Sequence, residues 1–161
     1  MTAVTVRTII PPDNAALATI IRSSLEEFNA AKPGTVYFDP TTDHLSEVFT
    51  ATRSIYFVAL ENDEILGGCG IYPTANLPED TCELVKFYLC NAARGKGLGK
   101  LLMQKSIDAA AEMGYKKIYL ETMPELNIAV PMYEKMGFTY LTAPMGNSGH
   151  GGCKIWMIRE L

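Results

Sequence analysis

Residues 93–102 read ARGKGLGKLL. Gly95, Gly97 and Gly99 alternate with Lys96 and Leu98, Arg94 stands before them and Lys100 inside the apolar run that follows. The chemistry this spacing offers is capture of an anion. Where a strand gives way to a helix, the first backbone N–H groups lack internal partners and the helix dipole adds positive potential. Glycines keep side chains off those amides, so an oxyanion approaches closely. Arg94, Lys96 and Lys100 surround the nest with full charges. One glycine alone would indicate only a tight turn.

Two familiar phosphate loops are excluded. A triphosphate loop, GxxxxGK[ST], needs glycine where Arg94 stands and a hydroxyl where Leu101 stands. A dinucleotide loop, GxGxxG, fails in both registers, meeting Lys100 in one and Leu102 in the other. Other groups with catalytic chemistry are less organised. His44 and His150 titrate near neutrality but have no positioned partner in the sequence. Glu121 ends a strand-like run. Cys69, Cys82, Cys90 and Cys153 form no CxxC pair, so no zinc site or disulfide framework is indicated, and each is expected to serve as a small apolar filler.

The chain has 161 residues, 48% of them hydrophobic and 20% charged, with a net charge of −4. That length and composition suit one globular domain over residues 1–161. The acidic total argues against nucleic acid as a partner, and a basic loop on such a chain suits a small anion. No apolar run is long enough to span a bilayer, and the start lacks the pattern of a secretory leader, so a cytoplasmic location is expected.

The elements that must position the loop follow from periodicity. Ala3–Ile10 reads as a strand stopped by Pro11 and Pro12. Asp13 is placed to cap a helix carrying Leu17, Ile20, Ile21, Leu25 and Phe28. Thr41–Thr50 predicts a second short helix. Ser54–Leu60 and Glu64–Tyr72 predict a hairpin turning at Asn62 and Asp63. Thr81–Cys90 predicts a strand with Glu83, Val85, Phe87 and Leu89 on one face. Gly97–Met113 predicts a helix burying Leu98, Leu101, Leu102, Ala109 and Met113, closed by Gly114. Then come a strand at Lys116–Glu121, a helix at Ala129–Met136 and strands at Phe138–Leu141 and Lys154–Ile158. The order βααβββαβαββ implies an α/β fold, a mixed sheet covered by helices.

The pattern R-x-x-G-x-G at Arg94, Gly97 and Gly99 resembles the coenzyme A pyrophosphate loop of the GNAT superfamily of acyl-CoA N-acyltransferases. Cys82–Lys105, CELVKFYLCNAARGKGLGKLLMQK, resembles that family's central strand, loop and helix. Tyr115–Phe138, ending MYEKMGF, resembles its next strand and tyrosine-bearing helix. The element order matches over nearly the whole chain, and the tail is similar to that of small bacterial acetyltransferases. The resemblance implies a central twisted sheet whose strands splay at a cofactor cleft. It implies acetyl-CoA as co-substrate, no metal, and a small or amino-acid-like primary amine as acceptor, attacked directly in a ternary complex. A homodimer through exposed C-terminal strand edges is compatible with it. A non-catalytic acyl-CoA sensor using the same loop stays open as the alternative.

Carried over residue by residue, the resemblance assigns the pantetheine arm to the backbone of Phe87, Tyr88 and Leu89, with the Leu89 amide near the thioester oxygen. It assigns the diphosphate to Arg94, Gly95, Lys96, Gly97, Leu98, Gly99 and Lys100. Tyr133 occupies the position that protonates the departing thiolate. Glu83, eleven residues before Arg94, stands where the histone-modifying branch keeps its general base, and burial on its predicted face would raise its pKa usefully. Other members use a water chain, and that alternative stays open. The family asparagine stands seven residues before the tyrosine. Here Asn127 stands six before, with Pro131 between, so helix capping and cofactor contact are both open for it.

Overall fold

Alternating β-branched residues make Val4–Thr8 the first strand, β1, in a computed structural model that describes residues 4–126, 128–146 and 152–161. Pro11 and Pro12 end it in a 3-10 turn. Helix α1, Asn14–Glu27, follows and buries Leu17, Ala18, Ile21 and Leu25. Asp13 stands at its N-cap position but does not cap it. Its carboxylate instead accepts from Arg7 at 2.7 and 3.0 Å and from the Ile10 N–H at 2.9 Å, tying the helix start to β1. The helix expected over 41–50 is split. A 3-10 turn at Pro40–Asp43 and a one-turn α2, Leu45–Val48, flank His44, whose φ of −134° and ψ of 39° lie outside the helical range.

β2, Ile55–Glu61, and β3, Glu64–Tyr72, are joined by Asn62 and Asp63 with φ of 51° and 68°. Both are left-handed, as a two-residue hairpin turn requires. β4, Thr81–Leu89, leads to α3, Leu98–Glu112, β5, Lys117–Thr122, α4, Ala129–Lys135, and then β6, Thr139–Leu141, and β7, Ile155–Glu160. The sheet order is β1-β2-β3-β4-β5-β7-β6, and β4–β5 is the parallel pair within an otherwise antiparallel ladder. The sheet is open and mixed, as the element order predicts.

Each face of the sheet has its own core. α1, α2 and the even-numbered side chains Tyr56, Val58 and Leu60 of β2 form one. α3 forms the other with Ile118 and Leu120 of β5, Tyr133 of α4 and Phe138. α3 buries Leu98, Leu102, Met103, Ile107, Ala109 and Ala110, but Leu101 is 41% exposed, contrary to the predicted stripe. At three-to-four spacing Leu101 lines up with the exposed Lys105 and Asp108, off the buried face.

Two irregularities open the sheet's centre. β4 and β5 pair only over Thr81–Glu83 and Lys117–Tyr119, and then diverge. On its other edge, β4 carries a bulge. One residue, Cys69, lies between paired positions Gly68 and Gly70, against two, Lys86 and Phe87, between Val85 and Tyr88. Lys86 holds a left-handed φ of 53°, and its carbonyl accepts from the buried Tyr56 hydroxyl at 2.7 Å. The glycines of β3 make room for that tyrosine. A Cβ on Gly68 would stand 2.3 Å from the Tyr56 ring and 2.7 Å from the Phe57 carbonyl. Gly68→Ala is therefore expected to lower stability by about 1–3 kcal/mol, the range for overpacking, in a denaturant titration. An unchanged midpoint would show that the bulge does not depend on that packing.

Candidate active site

The β4–α3 connection is built to leave its amides free. A 3-10 turn, Asn91–Ala93, anchored by the buried Ala93, brings the chain round to Gly95 and Gly97, with φ of 80° and 77°. A Cβ on either would meet nothing within 4 Å, so these two serve conformation and open space lies before them. Gly99 serves proximity: a Cβ there would stand 3.1 Å from Met132 Cε and 3.3 Å from Phe87 Cζ. Gly97 is the N-cap residue of α3 and offers no side-chain cap. The Leu101 N–H reaches the Gly97 carbonyl at 3.2 Å, and the N–H groups of residues 95–100 meet no acceptor among the described residues. Six unpaired donors at the head of a fifteen-residue helix fit a diphosphate.

The cations are less free than the sequence suggests. Arg94 donates to Glu27 at 2.5 Å and to the Leu89 carbonyl at 3.1 Å, and its guanidinium lies 4.9 Å from the Phe28 ring centre. It pins the end of β4 to the end of α1. Lys96 lies 3.4 Å from Glu61, and Lys100 is exposed.

A cleft of about 350 Å³ starts at this loop and passes through the gap between β4 and β5. Arg94, Gly95, Gly97, Leu98, Gly99 and Lys100 line its mouth. Phe87, Tyr88, Leu89, Met132 and Tyr133 line its middle, and Glu83, Lys86, Glu121 and Cys153 its far end. The Cys90 N–H bonds to the Leu66 carbonyl of β3 at 2.8 Å. Alternation in the ladder then turns the N–H groups of Phe87 and Leu89 toward the gap. The Leu89 carbonyl is occupied by Arg94 and by the Ser24 hydroxyl at 3.3 Å.

Tyr133 is buried between Phe87 and Phe138, its ring centre 6.1 and 5.9 Å from theirs. Its hydroxyl makes no hydrogen bond among the described residues. Burial pushes its pKa well above the ordinary 10, so it remains a protonated donor at neutral pH. A phenol at a cleft wall with no partner of its own is suited to a ligand atom that acquires negative charge.

Glu83 does not share a face with Phe87 and Leu89, as the strand's unbroken alternation predicts. The bulge at Lys86 shifts the phase. Cys82 and Leu84 before it, and Phe87 and Leu89 after it, pack on the α3 face, whereas Tyr88 packs on the α1 face. Glu83 lies on the α1 face with Thr74, whose hydroxyl donates to its Oε1 at 2.5 Å. It is 4% exposed, and burial raises its pKa to about 7, with Thr74 opposing and Glu121 adding. The cleft crosses the sheet, so this acid and Tyr133 line one space from opposite faces.

Sequence reasoning missed what surrounds Glu83. Lys86 is buried beside Asp39 at 3.5 Å. Tyr119 donates to Glu121 at 2.6 Å and accepts the Met145 N–H at 3.0 Å. Cys153, expected to be a simple filler, lines the cleft, and burial followed by the nearby Glu121 and Glu83 pushes its thiol up to about 12. It stays a thiol and a poor nucleophile. The acidic residues Glu26, Glu27, Asp39, Asp43 and Glu47 of the first fifty positions do not line the cleft. Glu27 pairs with Arg94, Asp43 with Arg22, Asp39 with Lys86, Glu26 accepts from Tyr37, and Glu47 is exposed. His44 lies outside the cleft lining. Asn127 and His150 fall outside the described residues.

Among the described residues the mixed sheet thus parts at its parallel β4–β5 pair, with a nest of amides lacking protein acceptors at the mouth of the gap. A family model, the acetyltransferase (GNAT) family, matches residues 18–138. The chain belongs to the GNAT acetyltransferase family. It is 39% identical over 150 residues to an uncharacterised N-acetyltransferase, YjgM, of Escherichia coli (strain K12), covering 92% of this chain and 90% of that one. A GNAT-family acetyltransferase from Staphylococcus aureus Mu50 superposes with a TM-score of 0.87 at 21% identity, over 99% of each chain. The yncA acetyltransferase of Salmonella typhimurium, solved with its cofactor acetyl-CoA, gives 0.76 at 21%, over 99% of this chain and 94% of that one. Among the described residues, no helix is long and apolar enough to cross a membrane.

Proposed function

We propose that this protein transfers an acetyl group from acetyl-CoA to the primary amine of a small, amino-acid-like molecule, with both substrates bound together. The observation that carries this reading is the cleft itself: six unpaired amides at one end, a neutral-range carboxyl at the other, and a protonated phenol between them. Acetyl-CoA supplies an activated acetyl thioester. The loop amides of residues 95–100 hold its diphosphate, and the gap-facing amides of Phe87 and Leu89 offer donors to the arm and to the carbonyl oxygen.

Glu83 accepts a proton from the incoming ammonium group or from the water beside it. A carboxyl titrating near 7 is about half ionised at neutral pH, which matches a base to its task. Tyr133 donates to the departing sulfur. The only cysteine in the cleft lining is held as a thiol, so direct attack by the amine is favoured over an acyl-enzyme.

The reading is tested by following thiol release from acetyl-CoA across a panel of amines with purified protein. With an accepted amine, kcat/KM is expected to rise with pH through about 7 as Glu83 ionises, and Glu83→Gln should remove that limb. The same shift has a sign for stability. The folded form binds a proton that the unfolded form, with a carboxyl near 4.5, has lost. Stability therefore falls as pH rises from about 4.5 to 7, by about 3 kcal/mol. Glu83→Gln should flatten this dependence and be the more stable protein at pH 8. Equal dependence in both proteins would place the burial penalty elsewhere.

A further inference from the structure

Lys86 is a buried charge in the cleft wall. Its side chain is 6% exposed, and an ammonium group has three donors to place. Among the described residues it meets one acceptor, Asp39 Oδ2, at 3.5 Å. The other oxygen of Asp39 accepts the Thr41 N–H at 2.9 Å and the Thr41 hydroxyl at 2.7 Å. Leaving donors of a buried cation unfilled is costly, and such a group is retained where a ligand completes it. The backbone is held for the purpose. Lys86 occupies the left-handed bulge, which for a non-glycine residue persists only when the surroundings enforce it, and Tyr56 fixes its carbonyl. Glu83 lies near enough to both Lys86 and Glu121 to act electrostatically on them, and Cys153 feels all three.

We infer that the acceptor is a zwitterion, an amino acid or close derivative, whose carboxylate is received by Lys86 while its amino group faces Glu83 and Glu121. A simple amine would face the acids but leave the ammonium unfilled. A pure anion would do the reverse. A molecule carrying both groups a few bonds apart completes the cluster, and its carboxylate, anchored at the bulge, fixes the direction from which the amine approaches the thioester. Lys86 is thus a specificity-determining residue. This inference rests on the acetyl-transfer reading above and narrows its substrate.

The test compares amino acids with their decarboxylated amines and their methyl esters, in the thiol-release assay. The wild-type protein is expected to favour the free acids by about tenfold to a hundredfold in kcat/KM, mainly through KM. Lys86→Met should erase that preference while leaving coenzyme A affinity unchanged, and Lys86→Arg should restore part of it. Equal use of acids, amines and esters by the wild-type protein overturns the inference while leaving acetyl transfer standing, and needs no variant to fold. A preference that survives in Lys86→Met overturns it as well. No transfer to any member, with coenzyme A still bound, removes the acetyl-transfer reading and this inference together.

Discussion

Gly97→Glu is expected to weaken coenzyme A binding by more than about a hundredfold while the domain stays folded. The new carboxylate would project from the N-cap residue of α3 into the open space in front of the nest, where no atom now lies within 4 Å. Two like charges about 4 Å apart in partly screened surroundings repel by about 4 kcal/mol, and each 1.4 kcal/mol is tenfold in affinity. The left-handed φ of 77° adds a strain of about 1–2 kcal/mol that a folded domain can carry. Gly97→Ala separates the two effects, since it brings the strain without the charge. Isothermal titration with coenzyme A reads affinity, and thermal unfolding reads the fold. Near-normal affinity in the glutamate variant would mean that the diphosphate lies elsewhere.

Tyr133→Phe is expected to lower kcat by about a hundredfold, the lower end of what a positioned proton donor contributes. Coenzyme A affinity should stay within about twofold, because the hydroxyl meets the sulfur as charge develops there rather than the bound ground state. Stability should hardly change. The hydroxyl has no hydrogen bond among the described residues, so its removal orphans nothing, while the ring keeps its contacts with Phe87 and Phe138. Unchanged kcat would reduce Tyr133 to a core aromatic.

Much of this architecture is readable from local pattern. The glycine-and-cation loop, the hairpin at Asn62 and Asp63 and the helix stop at Gly114 each follow from short-range backbone rules, and the structure keeps them. The candidate site's acid end was harder to read, because its geometry depends on one extra residue. In TCELVKFYL the alternation runs on without interruption, so Glu83 reads as a neighbour of Phe87 and Leu89. The bulge at Lys86 reverses the phase and sends Glu83 to the other face. Its trace in the sequence is in the partner strand, where Gly67, Gly68 and Gly70 mark a place at which other groups approach β3 closely.

The remaining misses share a different cause. Arg94 meets Glu27 sixty-seven residues away, and Lys86 meets Asp39 forty-seven away. No periodicity links such pairs, so a cation that reads as free for a ligand turns out to be a pin, and an ordinary strand lysine turns out to be a buried charge. Asp13 shows the same limit at short range. Its type and place suit a helix cap, yet the stronger partner, Arg7, takes its carboxylate.

Amide hydrogen exchange, resolved by residue and measured with and without acetyl-CoA, addresses the main proposition most directly. The amides of residues 95–100 should exchange quickly in the free protein, and they should slow sharply together with Phe87 and Leu89 once acetyl-CoA binds. If those amides are already slow in the free protein, or stay fast while acetyl-CoA is bound, the loop does not hold the diphosphate and the mechanism built on it is wrong.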